Sequence, residues 1–244
     1  MSKFTGQNVI VTGGTRGIGR GIAESFLKQG ATVLVTYAGN KKGFEDFLEA
    51  NQEHAERIHS AQFNVADYSA VEAFYKELPF EKLDILINNA GIRKDNIVGM
   101  MDVNDWNQVI DINLNGTFNM SKFAVMEMMK NRYGRIINIS SPCSHFGFAG
   151  QSNYAASKAG QIGLMRSLSK EVAKRGITVN CISPGFIGTE LIDDLPEKLV
   201  KEYKATIPMK RFGKVEEVAN AIQFLASKEA SYITGTTIEV TGGL

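Results

Sequence analysis

Short apolar runs alternate with longer amphipathic segments along the chain. Runs rich in Val and Ile predict seven strands, at Val9–Val11, Thr32–Thr36, Ile58–Phe63, Ile85–Ile87, Arg135–Ile139, Ile177–Ile182 and Thr237–Val240. Helical periodicity predicts helices at Gly17–Gln29, Lys41–Glu53, Ser69 (as the cap) to Lys76, Asn104–Met129, Tyr154–Lys174 and Val215–Leu225. This alternation is typical of an α/β fold. We therefore predict one domain over residues 1–244, with a doubly wound, seven-stranded parallel sheet flanked by helices.

One long connection interrupts this alternation. Residues 184–214 carry no strand pattern and follow the carboxyl end of the sixth strand. Connections of that length in compact domains are usually functional, and doubly wound sheets bind ligands at this edge. We expect the segment to form a lid that walls the substrate site.

Composition narrows the class of protein. The chain is 43% hydrophobic and 22% charged with a formal net charge of +1, which favours an ordinary globular protein over a binder of nucleic acid or anionic membrane. Cys143 and Cys181 are too few for a disulfide framework, and neither a signal peptide nor a membrane span is evident. The three histidines have no metal-ligand spacing. We expect a cytoplasmic protein with no metal and no membrane partner.

A glycine-rich turn, Thr12–Gly19, joins the first strand to the first helix. Glycines let the backbone approach a pyrophosphate, and a helix N-terminus offers it unpaired N–H groups. The spacing Gly-x-x-x-Gly-x-Gly differs from the Gly-x-Gly-x-x-Gly of other dinucleotide-binding folds. Such a turn alone can be only a tight connection, but its place between strand and helix favours a dinucleotide site.

The residues at the end of the second strand indicate which dinucleotide binds. NAD sites usually have Asp or Glu about 20 residues after the glycines, but this chain has Thr36–Gly39, and the next acid is Glu45. Arg16, with Lys41 and Lys42, could attract a 2′-phosphate. These residues favour NADPH/NADP, although the two lysines could equally do no more than solvate a helix start.

A set of polar residues predicts acid–base chemistry. Tyr154 and Lys158 are four apart on a predicted helix and share a face, and a nearby cation lowers the pKa of a phenol. Ser140 and Ser141 end the fifth strand and could bond a carbonyl oxygen, and Asn113 lies in the long helix. Each alone has a simpler reading, as surface packing, a turn or a satisfied buried amide. Their joint occurrence in this order favours catalysis.

The chain resembles the short-chain dehydrogenase/reductase family over its full length. The matching motifs are Thr12-Gly13-x-x-x-Gly17-x-Gly19, Asn88-Asn89-Ala90-Gly91, Asn113, Ser141, Tyr154-x-x-x-Lys158 and Pro184-Gly185. Ser141 lies thirteen residues before Tyr154, as the family's serine does, whereas Ser140 is out of register. The closest likeness is to bacterial members that reduce 3-oxoacyl chains on an acyl carrier protein, in Asn153–Gly160, Ser183–Thr189, Phe224–Ser227 and Tyr232–Gly235. The resemblance implies a Rossmann fold.

The resemblance also implies roles for particular residues. Tyr154 would donate the proton, Lys158 would lower its pKa and hold the nicotinamide ribose, Ser141 would polarise the ketone, and Asn113 would order a water in a proton relay. Asn64 and Val65 would flank the adenine. The implied cofactor-binding residues are Gly13, Thr15, Arg16, Gly17, Ile18, Gly19, Thr36, Asn64, Val65, Asn89, Ala90, Gly91, Tyr154, Lys158, Pro184, Gly185, Ile187 and Thr189.

The implied reaction is NADPH-dependent reduction of a 3-oxoacyl thioester on acyl carrier protein, in fatty-acid or related polyketide or polyene synthesis. Arg132 and Arg175 match positions that would dock the carrier, although they could equally be only solvated arginines. The resemblance further implies a homotetramer. Alternatives are reduction of acetoacetyl-CoA or another small ketone or alcohol, and a non-catalytic nucleotide-binding protein. Pro142–His145 depart from the small apolar residues usual after the family's serine, which weakens the assignment to primary fatty-acid synthesis.

Overall fold

A parallel sheet of seven strands forms the centre of the molecule. The computed structural model describes residues 2–190 and 196–244. The strand order is β3-β2-β1-β4-β5-β6-β7, and every pairing is parallel. The strands are β1 (Asn8–Thr12), β2 (Thr32–Tyr37), β3 (Ile58–Gln62), β4 (Ile85–Asn88), β5 (Gly134–Ile139), β6 (Ile177–Pro184) and β7 (Thr237–Val240). The predicted doubly wound α/β fold is confirmed.

Helices cover both faces of the sheet. They are α1 (Gly17–Lys28), α2 (Lys41–Ala50), α3 (Tyr68–Lys76), α4 (Val103–Ile110), α5 (Gly116–Asn131), α6 (Cys143–Phe146), α7 (Ser152–Val172), α8 (Glu197–Thr206) and α9 (Val215–Ala226). In β1, Val9 and Val11 face the core that contains α1 and α9, whereas Ile10 faces the core that contains α5 and α7. Burial on both faces explains why the central strands read as continuous apolar runs.

Several predicted helix boundaries differ from the structure by one to three residues, and two of these errors involve how a helix begins or ends. Asp67, not Ser69, caps α3, because its side chain accepts a hydrogen bond from the Ala70 amide at 3.0 Å. The helix predicted to reach Glu53 ends at Ala50 and is followed by a turn of 3-10 helix, Gln52–Arg57. Both errors concern end residues, where several neighbours are equally suitable partners for the unpaired backbone groups.

The long helix predicted over Asn104–Met129 contains one wider turn. Between α4 and α5, Asp111–Asn115 form a π turn, in which the Gly116 amide bonds to the Asp111 carbonyl. Gly116 packs against Val65, where a Cβ atom would overlap the valine side chain. Such turns occur often at functional sites, and here the turn contains the fully buried Asn113.

The predicted lid segment contains a helix that its sequence pattern did not reveal. Helix α8 lies within it, and Phe186 at its start stacks on Tyr203 of α8 with ring centroids 4.9 Å apart. Ile187 forms a bridge with Gly213, which joins the two ends of the segment. Residues 191–195 of the predicted lid lie outside the described residues. No helix in the described ranges has the length and apolar character that a membrane crossing requires.

Candidate active site

The predicted site residues converge on the carboxyl ends of four neighbouring strands. The glycine-rich turn follows β1, Asn89–Gly91 follow β4, Ser141 follows β5 and Gly185 follows β6. Because β1 and β4 are adjacent although β2 and β3 intervene in sequence, the strand order reverses between them. Open α/β sheets bind their ligands in the crevice at such a reversal.

The glycine-rich turn is packed so closely that side chains are excluded from it. Gly13 has a positive φ of 63°, and a Cβ atom there would lie 3.2 Å from Ala90 Cα. At Gly19 a Cβ atom would overlap both the Asn89 side chain and the Gly13 carbonyl oxygen. These glycines therefore allow the first turn of α1 to approach the loop after β4.

Hydrogen bonds fix the turn to that loop. The Thr12 hydroxyl accepts bonds from the backbone amides of Asn89 and Ala90, both at 2.9 Å. The Asn89 side chain donates to the carbonyls of Thr12 at 2.9 Å and Gly13 at 3.1 Å. The two cofactor motifs of the sequence are thus one rigid structural unit.

The start of α1 has the features of an anion site. Its N-cap residue, Arg16, makes no side-chain cap bond, and its first turn has no acidic residue. Helix N-termini of this kind bind phosphate groups. Arg16 is exposed, so its guanidinium is available beside the turn, while Thr15 is buried within the turn. These residues fit a dinucleotide that carries an additional phosphate.

The predicted adenosine and carboxamide contacts lie around the same crevice. Thr36 is buried, and its carbonyl accepts a bond from the Gly14 amide at 3.2 Å, so its backbone supports the turn. Asn64 is exposed, and the carbonyl of Val65 is held by Asn119 of α5 at 3.0 Å. On the opposite side, a Cβ atom at Gly17 would lie 3.9 Å from Thr189 Cγ2. The start of the lid segment therefore reaches the glycine-rich turn.

Tyr154, Ser141 and Lys158 lie together beside this crevice. The Ser141 hydroxyl lies beside the Tyr154 phenol, close enough to lower the pKa of the phenol. The Lys158 ammonium is 5.6 Å from the Tyr154 ring centroid and donates to the Ile139 carbonyl at 2.6 Å. A Cβ atom on Gly91 would lie 3.6 Å from Lys158 Nζ, so the loop after β4 borders the lysine. Lys158 is 3% exposed, whereas Tyr154 is partly exposed.

Burial moves the pKa values of these two groups in opposite directions. Desolvation lowers the pKa of Lys158 to about 8. Desolvation raises the pKa of Tyr154, while the neighbouring Ser141 hydroxyl and the positive charge of Arg93 act to lower it. Arg93 is therefore a second cation beside the phenol, one that the sequence analysis did not single out for this role.

Arg93 is held over the tyrosine by a short chain of polar contacts. Its guanidinium carbon is 5.9 Å from the Tyr154 ring centroid, and it forms an ion pair with Asp95. Asp95 also accepts a bond from the Gln151 side chain at 3.0 Å. Arg93 follows the Asn-Asn-Ala-Gly motif by two residues, but a single exposed arginine carries no pattern that sequence alone could detect.

The structure distinguishes the two adjacent serines. Ser140 is buried, and its hydroxyl donates to the Lys158 carbonyl at 3.2 Å. Ser141 is partly exposed, with its hydroxyl near both Tyr154 and the Cys143 amide. Only Ser141 can contact a substrate. Cys143 is buried, and desolvation raises the pKa of its thiol, which makes it a poor nucleophile.

Asn113 joins the cofactor loop to α7. Its side-chain oxygen accepts a bond from the Ile92 amide at 2.8 Å, and its amide nitrogen donates to the Ile92 carbonyl at 3.0 Å and to Ser157 Oγ at 3.1 Å. Its backbone carbonyl accepts bonds from Thr117 Oγ1 and Gln161 Nε2, both at 2.7 Å. These contacts fix the π turn to α7, and the part of Asn113 in ordering a water stays a prediction.

The arginines predicted to dock the carrier lie at the amino ends of two strands, on the opposite side of the sheet from the crevice. Arg132 is two residues before β5 and Arg175 two before β6, and Arg132 Nη2 bonds to the Lys174 carbonyl at 3.1 Å. The two arginines are therefore neighbours. Since β5 has six residues at ~3.3 Å each, they are ~20 Å from Ser141 at its far end. Within one chain they do not join the Tyr154 site.

In residues 2–190 and 196–244, no cluster of three or more His, Cys, Asp or Glu is arranged to hold a metal ion. His145 lies 4.0 Å from Glu239, at the separation of an ion pair. That contact ties the segment after Ser141, in which the chain departs from the family pattern, to β7.

Comparison with known proteins identifies the family. A family model described as enoyl-(acyl carrier protein) reductase matches residues 12–244. The chain is 45% identical over 240 residues to the 3-oxoacyl-(acyl-carrier-protein) reductase FabG of Staphylococcus aureus, covering 98% of each chain. It is 44% identical over 245 residues to the protein of that name from Salmonella typhimurium and 43% identical over 245 to that from Escherichia coli, each covering 99% of this chain and 98% of the relative. The chain belongs to the short-chain dehydrogenase/reductase family.

Proposed function

We propose that this protein reduces 3-oxoacyl thioesters carried on acyl carrier protein to 3-hydroxyacyl thioesters, with NADPH. The observation that carries the proposal is the meeting of the Ser141 hydroxyl, the Tyr154 phenol and the Lys158 ammonium beside a glycine-rich dinucleotide turn. A hydroxyl and a phenol that converge on one point suit a carbonyl oxygen, which gains negative charge and then a proton during reduction.

Each residue has a distinct part in this mechanism. NADPH, when bound, supplies the hydride. The Ser141 hydroxyl donates a hydrogen bond to the ketone oxygen and orients it. Tyr154 then transfers its phenolic proton to the alkoxide oxygen, and the Lys158 ammonium stabilises the phenolate that remains. The site's contribution is therefore orientation and charge stabilisation.

The pKa shifts give the reaction a defined pH dependence. Tyr154 has its pKa raised, so the phenol stays protonated as a proton donor through neutral pH. Lys158 must keep its charge, and its pKa is lowered to about 8. We therefore expect full activity well below pH 8 and a decline as the pH rises through that value, because Lys158 becomes neutral first.

Two reactions on acyl carrier substrates need to be distinguished, the reduction of an enoyl group and the reduction of a 3-oxoacyl group. The family description names an enoyl reductase, whereas the curated relatives are named as 3-oxoacyl reductases. The Ser141 hydroxyl beside Tyr154 favours a ketone, since polarising a carbonyl oxygen requires a donor beside the proton source. The identity over nearly the whole chain supports the same choice.

In our proposal, a second copy of this chain helps to deliver the acyl carrier protein to the site. Arg132 and Arg175 are too far from Ser141 to guide a carrier into the same chain's site. Helices α4 and α5 expose apolar side chains that a partner copy would cover, namely Val103, Trp106, Phe118, Met126 and Met129. We infer a homotetramer packed through these helices, in which the arginines of one copy serve the site of another.

The decisive assay compares thioesters and carriers. NADPH oxidation is followed with 3-oxoacyl and 2-enoyl chains, each on acyl carrier protein and on CoA. We expect turnover with the 3-oxoacyl carrier substrate and none with the enoyl substrate. Arg132→Glu should raise KM for the carrier substrate but not for a small 3-oxoacyl mimic. Turnover confined to the enoyl substrate, or to small ketones, would overturn the proposal.

A further inference from the structure

Gln161 is a fully buried amide in the interior of α7. It lies one helical turn beyond Lys158 and has 0% exposure. A buried amide destabilises a protein unless its polar atoms find partners. Here Nε2 donates to the Asn113 carbonyl at 2.7 Å and to Thr117 Oγ1 at 2.8 Å, and Oε1 accepts from Lys158 Nζ at 3.4 Å. The side chain is satisfied at both ends.

These contacts make Gln161 a bridge between the lysine and the π turn. On one side it contacts the ammonium that stabilises the phenolate. On the other it contacts the carbonyl of Asn113, whose second donor is Thr117 Oγ1 at 2.7 Å. Both lone pairs of that carbonyl are then in use.

We propose that Gln161 is a positioning residue for the reduction, which holds the Lys158 ammonium by its amide oxygen while its amide nitrogen fills the Asn113 carbonyl. The inference rests on the proposed function, because it assigns Lys158 a catalytic charge. A neutral amide holds the ammonium without adding a negative charge. Gln161 thus holds Lys158 in place while the pKa of the lysine stays low.

The surroundings of Lys158 make this amide important. The titratable groups that face the ammonium in the described chain are Tyr154 from its own helix and Cys181 from β6. Burial raises the pKa of both, so both are uncharged near neutral pH. The ammonium's hydrogen-bond acceptors are then neutral, the Ile139 carbonyl and Gln161. A change of charge at residue 161 should therefore shift the pKa of Lys158 strongly.

The test is the alkaline limb of kcat/KM against pH, for NADPH-dependent reduction of a 3-oxoacyl thioester. Gln161→Met keeps the volume but removes the acceptor, so it destabilises the charged lysine and should move the limb to lower pH. Gln161→Glu adds a carboxylate and should move it to higher pH, by about one unit or more. A purely structural role for Gln161 would lower the rate or stability of both variants without opposite shifts.

Controls separate failure of this inference from failure of the proposed function. Ser169→Ala changes another buried polar residue of α7, whose hydroxyl bonds the Arg166 carbonyl, and should leave the limb in place. Tyr154→Phe tests the function itself. Loss of activity in Tyr154→Phe with unshifted limbs in the Gln161 variants would refute only the role of Gln161. If Gln161→Glu does not fold, the shift of Gln161→Met decides alone.

Discussion

The two halves of the crevice are built by different means. On the cofactor side, the turn after β1 and the loop after β4 are shaped by backbone, and a Cβ atom at Gly14 would lie only 2.7 Å from Val35 Cγ1. On the chemical side, which carries Tyr154 and Ser141, the shape comes from buried polar side chains. Among them are Asn113, Ser157 and Lys158, each at most 3% exposed. The first half depends on close approach and the second on desolvation and hydrogen bonding.

This difference predicts how each half responds to substitution. Added volume on the cofactor side should reduce affinity for the dinucleotide while the catalytic groups stay in place. Removal of a polar atom on the chemical side should reduce the rate while leaving the dinucleotide bound. Each of the following variants tests this separation, and they run from the largest expected effect to the smallest.

Tyr154→Phe should lower kcat by about a thousandfold, because it removes the proton donor and little volume. NADPH affinity, measured by fluorescence titration, should stay near that of the unmodified protein. A variant that keeps near-normal kcat would refute the acid role of the phenol.

Gly19→Ala should weaken NADPH binding by tenfold or more, since the new methyl group would overlap the Asn89 side chain and the Gly13 carbonyl. The measurement is the dissociation constant, with kcat at saturating NADPH as the second readout. Gly163→Ala is the matched control, because a Cβ atom at that glycine in α7 meets nothing within 4 Å. Unchanged affinity in Gly19→Ala would mean that the turn is not the cofactor site.

Arg16→Ala should weaken NADPH by about tenfold and NADH much less, because a charge-assisted bond to a 2′-phosphate would be lost. The two dissociation constants are compared directly. Lys42→Ala, at the start of α2, tests whether the exposed lysines contribute. Equal weakening of both dinucleotides would locate recognition of the 2′-phosphate elsewhere.

Arg93→Met should lower kcat by less than tenfold. Removal of its charge lets the pKa of Tyr154 rise further, which makes the phenol a weaker acid, but Arg93 is half exposed and already paired with Asp95. Lys94→Met is the control, since Lys94 pairs with Asp105 at 2.6 Å instead. Equal decreases of kcat in the two variants would show that Arg93 does not act specifically on Tyr154.

Much of this protein can be predicted from local patterns. The Val- and Ile-rich runs locate all seven strands, because strands buried on both faces must be apolar throughout. The spacing of Tyr154 and Lys158 places them on one face of α7, since residues four apart in a helix are neighbours. The resemblance to the family, whose serine lies thirteen residues before its tyrosine, distinguishes Ser141 from Ser140, and the geometry agrees.

Other features depend on contacts between distant segments, which no local pattern encodes. The π turn at Asn113 lies where α4 and α5 pack against α7 and the loop after β3, and the helical pattern runs through it without a break. A second cation over Tyr154, Arg93, comes from the loop after β4. The acceptors around Lys158 come from β5 and from Gln161. Sequence by itself determined the sheet and the glycine-rich turn through periodicity and spacing, and its resemblance to the family indicated the candidate catalytic set. Only the tertiary structure decided which charges and dipoles surround that set, because desolvation and electrostatics depend on distances in space.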